Sequence, residues 1–394
     1  MRRRDERPLV ALAALLWIAA VVAALLVQIG EDHGLLGNAF FPGVPRLPET
    51  ACPGQAIGVD STLAFESDDR GRAETVTAIR KFLRPQVVRD ALLWHQVEPV
   101  QGQFNWSVSD SIVADLREAG IEPLLVVLGS PPWANGVPLS TPQHYLYVPP
   151  RGPALDAWLA HYSDFLAAAV ERYKGFVRRW EIWNESNMEA FWHPRPDPAA
   201  YRQMYETLRR TILMVDPNAE VSVGGLGGLT SASPPSIPGR SFLRRLARTD
   251  QPLGTVAIHP YATSDHAPGV HVPGENNFDD VAAIRRLLAA EGEKARIWVT
   301  EWGWSSATVG RRRQAHYLNQ SLEMLRRHYP FVRLATYFVD RNLPPQYFQG
   351  LLTQDLKPKP AARVFRRYAD LAASRCAAGG DSRQRPPSRR ANRG

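Results

Sequence analysis

The chain has 394 residues, of which 44% are hydrophobic and 22% charged, a composition typical of a globular protein that excludes disorder of the whole chain. Its net charge is +8, but most of the excess arginine lies in the first seven residues and after residue 374, so the part between them is nearly neutral. Nucleic-acid-binding domains carry their basic residues as a patch on the folded domain, so this charge distribution argues against a nucleic-acid partner.

The first predicted element is an apolar run at residues 9–29, interrupted by one polar side chain, Gln28. A helix of this length spans a bilayer, whereas a cleaved signal has a shorter apolar region of about 7 to 15 residues. Arg2, Arg3 and Arg4 precede the run and should stay in the cytoplasm. We therefore predict a signal anchor that leaves the rest of the chain outside the cell, with secretion after signal cleavage as the alternative.

The regions that flank the central part differ from it in composition. Residues 1–30 are predicted to be a basic stub with the membrane segment, residues 31–51 a linker, residues 52–376 the folded domain, and residues 377–394 a disordered basic tail. Cys52 and Cys376 lie at the two ends of the domain. In an exported protein they could form one stabilising disulfide, although two unpaired thiols are the open alternative.

Between these flanks, short β-rich runs alternate with longer helical patterns eight times. The predicted strands cover residues 56–60, 86–89, 123–128, 179–183, 220–224, 255–259, 297–300 and 334–338. The predicted helices lie near residues 73–83, 109–119, 154–173, 198–215, 239–248, 279–291, 311–328 and 359–373. In the third helix, apolar residues recur at i, i+3, i+4 and i+7 from Leu155 to Val170, which indicates one buried face.

This alternation predicts parallel strands joined by right-handed crossovers, and eight repeats favour an α/β fold of the (β/α)8 TIM barrel type. An open doubly wound sheet is the competing topology. It would call for a glycine-rich phosphate loop after the first strand, where the sequence reads Asp60-Ser61-Thr62-Leu63. In a barrel the active site lies at the C-terminal ends of the strands.

Two carboxylates follow strands on opposite sides of the predicted barrel. Strand four runs into Trp183-Asn184-Glu185, and strand seven runs into Thr300-Glu301-Trp302-Gly303. Glycosidic bond cleavage needs such a pair, one acid to protonate the leaving oxygen and one carboxylate to attack the anomeric carbon. Glu185 and Glu301 are therefore the predicted catalytic residues.

These two motifs resemble those of glycoside hydrolase clan A, the retaining barrel enzymes that include the cellulase-like family 5 and family 39. The resemblance covers residues 57–368 and implies that Glu185 is the general acid/base and Glu301 the nucleophile. It also implies that Asn184 holds the sugar 2-hydroxyl. The expected activity is hydrolysis of β-glycosidic bonds in an extracellular or cell-envelope polysaccharide, with a catalytically weak glycan-binding barrel or a transglycosylase as alternatives.

Other strand ends add candidate substrate-binding residues. Arg89 matches the clan arginine beside the nucleophile, where a cation would keep Glu301 ionised. His259 and Tyr261 resemble the clan's His-x-Tyr, in which the tyrosine hydroxyl bonds the nucleophile. Three tryptophans could stack on sugar rings, although aromatic residues also fill barrel cores: Trp94, Trp133 and Trp304.

The sequence departs from the clan pattern at two strand ends. Strand three lacks the usual family 5 histidine and reads Gly129-Ser130-Pro131-Pro132-Trp133, and strand eight ends in Tyr337-Phe338 in place of a tryptophan. The sugar, the linkage, endo or exo action and the oligomeric state therefore stay open. The histidines 95, 161 and 193 lack ligand spacing, so we predict no metal and no cofactor.

Overall fold

A computed structural model of the protein describes residues 40–48, 54–247 and 250–381. In these ranges eight parallel strands pair in sequence order, and the last pairs with the first to close a barrel. The strands are β1 (Ala56–Asp60), β2 (Val87–Leu93), β3 (Glu122–Leu128), β4 (Arg179–Ile182), β5 (Glu220–Leu226), β6 (Thr255–Ile258), β7 (Arg296–Val299) and β8 (Val332–Tyr337). The predicted (β/α)8 barrel is confirmed.

One main helix follows each strand and returns the chain to the other end of the barrel. These helices are α1 (Asp69–Phe82), α2 (Ser107–Glu118), α3 (Pro153–Tyr173), α4 (Pro198–Val215), α5 (Gly239–Leu246), α6 (Asp280–Ala290), α7 (Arg311–Arg327) and α8 (Pro360–Asp381). The first begins earlier than the predicted residue 73. The cause is Asp68, whose side chain accepts a hydrogen bond from the Gly71 backbone N–H at 2.7 Å and caps the helix.

The third helix packs as its apolar periodicity predicts. Its buried face, on which no side chain is more than 3% exposed, consists of Leu155, Trp158, Leu159, Tyr162, Phe165, Leu166, Ala169, Val170 and Tyr173. Trp158 also satisfies its indole N–H, which donates to Ser130 Oγ at 2.7 Å in the loop after β3. This helix therefore supports the barrel and the base of one loop at the active-site end.

Residues 40–48 do not behave as the linker that the sequence predicts. Phe41 is only 4% exposed and packs against the rings of Tyr173 and Phe176. Arg117, at the end of α2, donates to the carbonyl oxygens of Pro45 and Arg46 at 3.1 and 2.8 Å. These contacts bury apolar surface and satisfy backbone groups, so this segment belongs to the folded domain.

The C-terminal boundary also differs from the prediction. α8 continues to Asp381, so the predicted start of the tail at residue 377 is wrong, and the alanine-rich stretch 372–378 accounts for the longer helix. None of the described helices is long and apolar enough to cross a membrane. The predicted span at residues 9–29 and Cys52 lie outside the described residues, so the anchor and the disulfide with Cys376 stay predictions.

Candidate active site

The two predicted catalytic carboxylates meet at the C-terminal end of the barrel. Glu185 stands in the loop after β4 and Glu301 directly after β7, and their side chains are 15% and 12% exposed. A carboxylate oxygen of each lies within 4.8 Å of the other. The fold therefore brings together two groups that are more than one hundred positions apart in the sequence, in a site that solvent can reach.

The backbone after β4 turns sharply to present Glu185. Trp183 and Glu185 have φ values of +70° and +42°, a left-handed conformation that side-chain-bearing residues seldom adopt. Asn187 holds the turn, because its amide nitrogen donates to the carbonyl oxygens of Gly227 and Ile237, both at 2.8 Å. The Glu185 N–H donates to the carbonyl oxygen of Gly225 at 2.9 Å. The neighbouring strand thus fixes the loop.

Glycines at the end of β5 make room for the acidic side chain and its neighbours. A Cβ at Gly225 would lie 1.9 Å from His259 Nε2, and one at Gly227 would lie 2.5 Å from Glu185 Oε1. A Cβ at either position would therefore force a neighbour to move, the His259 ring at Gly225 and the end of the Glu185 side chain at Gly227. The sequence analysis missed this role, although glycine inside a strand pattern is a known signal of close approach.

We expect Gly225→Ala to lower kcat/KM by about 100-fold, since displacing a catalytic-site group by about 1 Å has effects of that size. The added methyl group would push His259 away from Glu185. The matched control is Gly269→Ala, because no heavy atom lies within 4 Å of a Cβ placed there. Steady-state kinetics and thermal unfolding of both variants check the prediction, and equal activity in the two would contradict it.

Both oxygens of the Glu301 carboxylate accept hydrogen bonds. Arg89 Nη1 donates to Oε1 at 2.8 Å, and Tyr261 Oη donates to Oε2 at 3.0 Å. Burial raises the pKa of Tyr261 well above its usual value, and the charge of Glu301 adds to that effect, so the phenol keeps its proton to donate. The structure therefore places Arg89 and Tyr261 as predicted, on the same carboxylate.

Arg89 is also the centre of a buried charge network that the sequence analysis missed in part. Its Nη2 donates to Glu181 Oε1 and to Asn184 Oδ1, both at 2.7 Å, and its Nη1 donates to Asp60. Glu181 is fully buried in β4, and Asp60 is 4% exposed at the end of β1. Burial raises the pKa of Asp60 well above its usual range, and Arg89 opposes this effect. One cation thus faces three carboxylates.

His259 lies between the carboxylates of Glu185 and Glu301. Its Nδ1 is 2.8 Å from Glu185 Oε1, and its Nε2 is 3.1 Å from Thr300 Oγ1 and 3.6 Å from Glu301 Oε1. Burial alone would lower the pKa of His259, but the charges of Glu301 and Glu185 outweigh burial and raise it above its ordinary value. His259 Nδ1 therefore lies within hydrogen-bonding distance of Glu185, beside two carboxylates that favour the charged form of the ring.

The same three side chains, Glu185, His259 and Glu301, carry atom types that can bind a metal ion, and their donor atoms lie within 4.8 Å of one another. Among the described residues no other group of three does so. Both ring nitrogens of His259 already have partners in Glu185 and Thr300, so these side chains satisfy one another without an ion. The absence of a metal requirement stays a prediction.

Two of the three predicted sugar-stacking tryptophans are buried, which corrects that prediction. Trp94 is 0% exposed, stacks on Tyr162 at 4.4 Å and donates from Nε1 to Glu98 Oε2 at 2.8 Å. Trp304 is 1% exposed. Because protein covers their ring faces, neither can stack on a sugar. Trp133 is only partly buried and stays a candidate.

Comparison with known proteins gives a likeness in fold alone. No family model matches the sequence, and no curated protein matches it. A solved family 39 glycoside hydrolase from the gut symbiont Bacteroides cellulosilyticus WH2 has a TM-score of 0.63 at 23% identity, covering 82% of this chain and 66% of that chain. A monomeric β-xylosidase from Caulobacter crescentus CB15 has a TM-score of 0.59 at 18% identity, covering 82% and 69%.

A family 5 member, GH5_18 from Streptomyces cattleya solved with GlcNAc, has a TM-score of 0.57 at 15% identity and covers 82% of each chain. This chain spans about two thirds of the length of the two structures described before it. The predicted resemblance to family 39 and family 5 barrels is thus confirmed at the level of the fold.

Proposed function

We propose that the protein is a retaining β-glycosidase that hydrolyses an oligo- or polysaccharide, with Glu185 as general acid/base and Glu301 as nucleophile. The observation that carries this proposal is that one carboxylate oxygen of Glu185 lies within 4.8 Å of one carboxylate oxygen of Glu301. Retaining enzymes keep the two carboxyl groups about 5 to 5.5 Å apart, whereas inverting enzymes need about 6.5 to 9.5 Å to admit a water molecule. The short separation supports double displacement.

In the first step Glu301 attacks the anomeric carbon and the bond from that carbon to the leaving oxygen breaks. Glu185 gives its proton to the leaving oxygen, and a covalent glycosyl-enzyme forms. Arg89 and Tyr261 donate to Glu301 and hold its carboxylate in one orientation before the attack. Positioning of this kind removes much of the entropic part of the barrier.

In the second step Glu185, now a carboxylate, takes a proton from water. The water oxygen attacks the anomeric carbon, and the bond to Glu301 breaks, which restores both side chains. His259 contacts Oε1 of Glu185 at 2.8 Å and so leaves Oε2 to exchange the proton with the substrate. His259 is therefore a positioning residue for the acid/base.

The substrate proposal is restricted to β-linked sugars. Asn184 turns its amide oxygen to Arg89, which leaves its Nδ2 to donate to a sugar hydroxyl. The shared fold with a β-xylosidase supports a β-linkage without naming the sugar. With residues 9–29 as an anchor, the substrate would be an extracellular or cell-envelope polysaccharide, and a secreted form would act on the same class.

The configuration of the first product tests the proposal. Purified protein would be incubated with aryl β-glycosides and β-linked polysaccharides while proton NMR follows the anomeric signals. We expect the β-anomer to appear first and the α-anomer only later by mutarotation. An α-anomer formed first would contradict double displacement. Transfer of the glycosyl group to sugar acceptors would indicate a transglycosylase, and binding without cleavage would indicate a glycan-binding barrel.

A further inference from the structure

The loop after β8 carries an exposed aromatic residue, Tyr347, whose side chain is 41% exposed. Residues 343–347 form a tight turn, in which the Leu343 N–H donates to the Tyr347 carbonyl oxygen at 2.8 Å and the Tyr347 N–H donates back at 2.9 Å. Gly350 lies against the backbone at the start of the loop, since a Cβ at Gly350 would be 2.1 Å from the Arg341 carbonyl carbon. The loop is therefore compact and closed at its base.

A series of aromatic contacts connects this loop to the nucleophile. The Tyr347 ring meets the Phe338 ring edge to face at 5.3 Å, and Phe338 meets Tyr261 in the same way at 6.3 Å. Tyr261 in turn donates to Glu301 Oε2 at 3.0 Å. Burial raises the pKa of the Tyr347 phenol, and the charges of Glu301 and Glu185 add to the effect.

Lys359 forms hydrogen bonds with both ends of the loop. Its side chain is 1% exposed, and Nζ donates to Asn342 Oδ1 at 3.0 Å and to the Phe348 carbonyl oxygen at 3.3 Å. A third bond, to Ser306 Oγ at 3.0 Å, ties the loop to the segment after β7 that carries Glu301. Burial lowers the pKa of Lys359 to about 7, so below neutral pH an ammonium with three N–H donors matches these three acceptors.

We propose that residues 342–349 form a preformed substrate platform, in which Tyr347, packed against Phe338, binds the substrate and Lys359 is the positioning residue that fixes the loop. The inference rests on the proposed glycosidase function. An aromatic ring offers an apolar face to the C–H groups of a sugar at small entropic cost. A loop tied at both ends keeps that face in place before the substrate arrives.

The first test compares Tyr347→Ala with Phe104→Ala. Phe104 is the matched control, because it is also 41% exposed and packs on one aromatic neighbour, Trp106, in the loop after β2. At pH 6 we expect Tyr347→Ala to raise KM for the polysaccharide about tenfold, with kcat within about twofold. Phe104→Ala should match the wild type. An unchanged KM in Tyr347→Ala would overturn the proposal.

The second test is a double-mutant cycle with Lys359→Met, measured as oligosaccharide affinity by calorimetry in a Glu301→Gln background. We expect Lys359→Met to weaken binding on its own but to add nothing to Tyr347→Ala, because Lys359 acts through the loop. Additive losses would overturn the positioning role. If the wild type cleaves sugars but Tyr347→Ala binds the oligosaccharide with wild-type affinity, the platform proposal is contradicted and the glycosidase proposal stands. If the wild type neither cleaves nor binds any sugar, the glycosidase function fails and the platform with it.

Discussion

Glu301→Ala should lower kcat/KM for β-linked substrates by about 10⁴-fold or more, since removal of a nucleophile from a catalytic unit has effects of this order. The loss should appear in kcat, because without the carboxylate no glycosyl-enzyme can form. Folding should survive the change, since Arg89 keeps its ion pairs with Asp60 and Glu181. Rates of aryl β-glycoside cleavage and a thermal unfolding curve would measure both expectations.

An external nucleophile provides a sharper version of this experiment. Azide can enter the space left by Glu301→Ala and attack the anomeric carbon directly, so the expected product is the α-glycosyl azide, formed by a single inversion. The control variant is Glu189→Gln, which alters an acidic side chain that is 45% exposed in the loop after β4. It should retain wild-type rates. If Glu301→Ala keeps more than about a tenth of wild-type activity, Glu301 is not the nucleophile.

The fold was predictable because strands and helices leave periodic signals in the sequence, and the two carboxylates were predictable from their positions after strands. Strands and helices alternate eight times, and a closed barrel accommodates that alternation with two paired neighbours for every strand. Once the strands are counted, the C-terminal ends of the fourth and seventh face the same opening, and each is followed by a glutamate. Local pattern and topology therefore suffice to place Glu185 and Glu301 together.

The charge network around Arg89 could not be predicted in the same way. In the sequence Glu181 is one charged residue inside a strand pattern, and nothing local indicates that it points into the barrel and is fully buried. Its contact with Arg89 depends on the register between β2, β3 and β4, and strand-end motifs do not encode that register. Asp60 is the last residue of the predicted first strand, and nothing in the sequence around it indicates a contact with Arg89.

The sugar-stacking prediction for Trp94 and Trp304 was wrong for a related reason. A tryptophan after a strand can face the cleft or pack under the loops, and its position in the sequence is the same in both cases. Trp94 lies in a one-turn helix that directs its ring under the loop, against Tyr162 and Phe165. Tyr347, which is exposed, lies in an irregular loop, where no periodicity shows which way a side chain points.

The network around Arg89 also gives the two glutamates different surroundings, as the roles proposed for them require. Glu301 accepts from a permanent cation and a phenol, which stabilises its negative charge and suits a nucleophile. Among the charged side chains that the structure describes, Glu185 contacts only His259, and an imidazole can itself gain or lose a proton. Two carboxylates with unlike surroundings are what an acid/base and a nucleophile require. Replacement of Glu185 should therefore produce a different kinetic pattern from replacement of Glu301.

Glu185→Ala should lower kcat/KM for polysaccharide about 10³-fold, within the range for loss of general acid–base catalysis. An aryl glycoside with an acidic leaving group needs no proton to depart, so its first step should stay fast while the second step, which needs the base, becomes slow. Both kcat and KM should fall, and the glycosyl-enzyme should accumulate. Pre-steady-state bursts and the mass of the intact protein would detect that intermediate on Glu301.

Azide should restore turnover of Glu185→Ala and produce the β-glycosyl azide, because the anion attacks the glycosyl-enzyme without needing a base. This product has the opposite configuration to the one expected from Glu301→Ala, so the pair of variants assigns each glutamate by stereochemistry as well as by rate. His259 lies 2.8 Å from Glu185 and could partly replace it as a proton donor. If Glu185→Ala cleaves polysaccharide within tenfold of the wild type, His259 is the acid and the assignment of Glu185 is wrong.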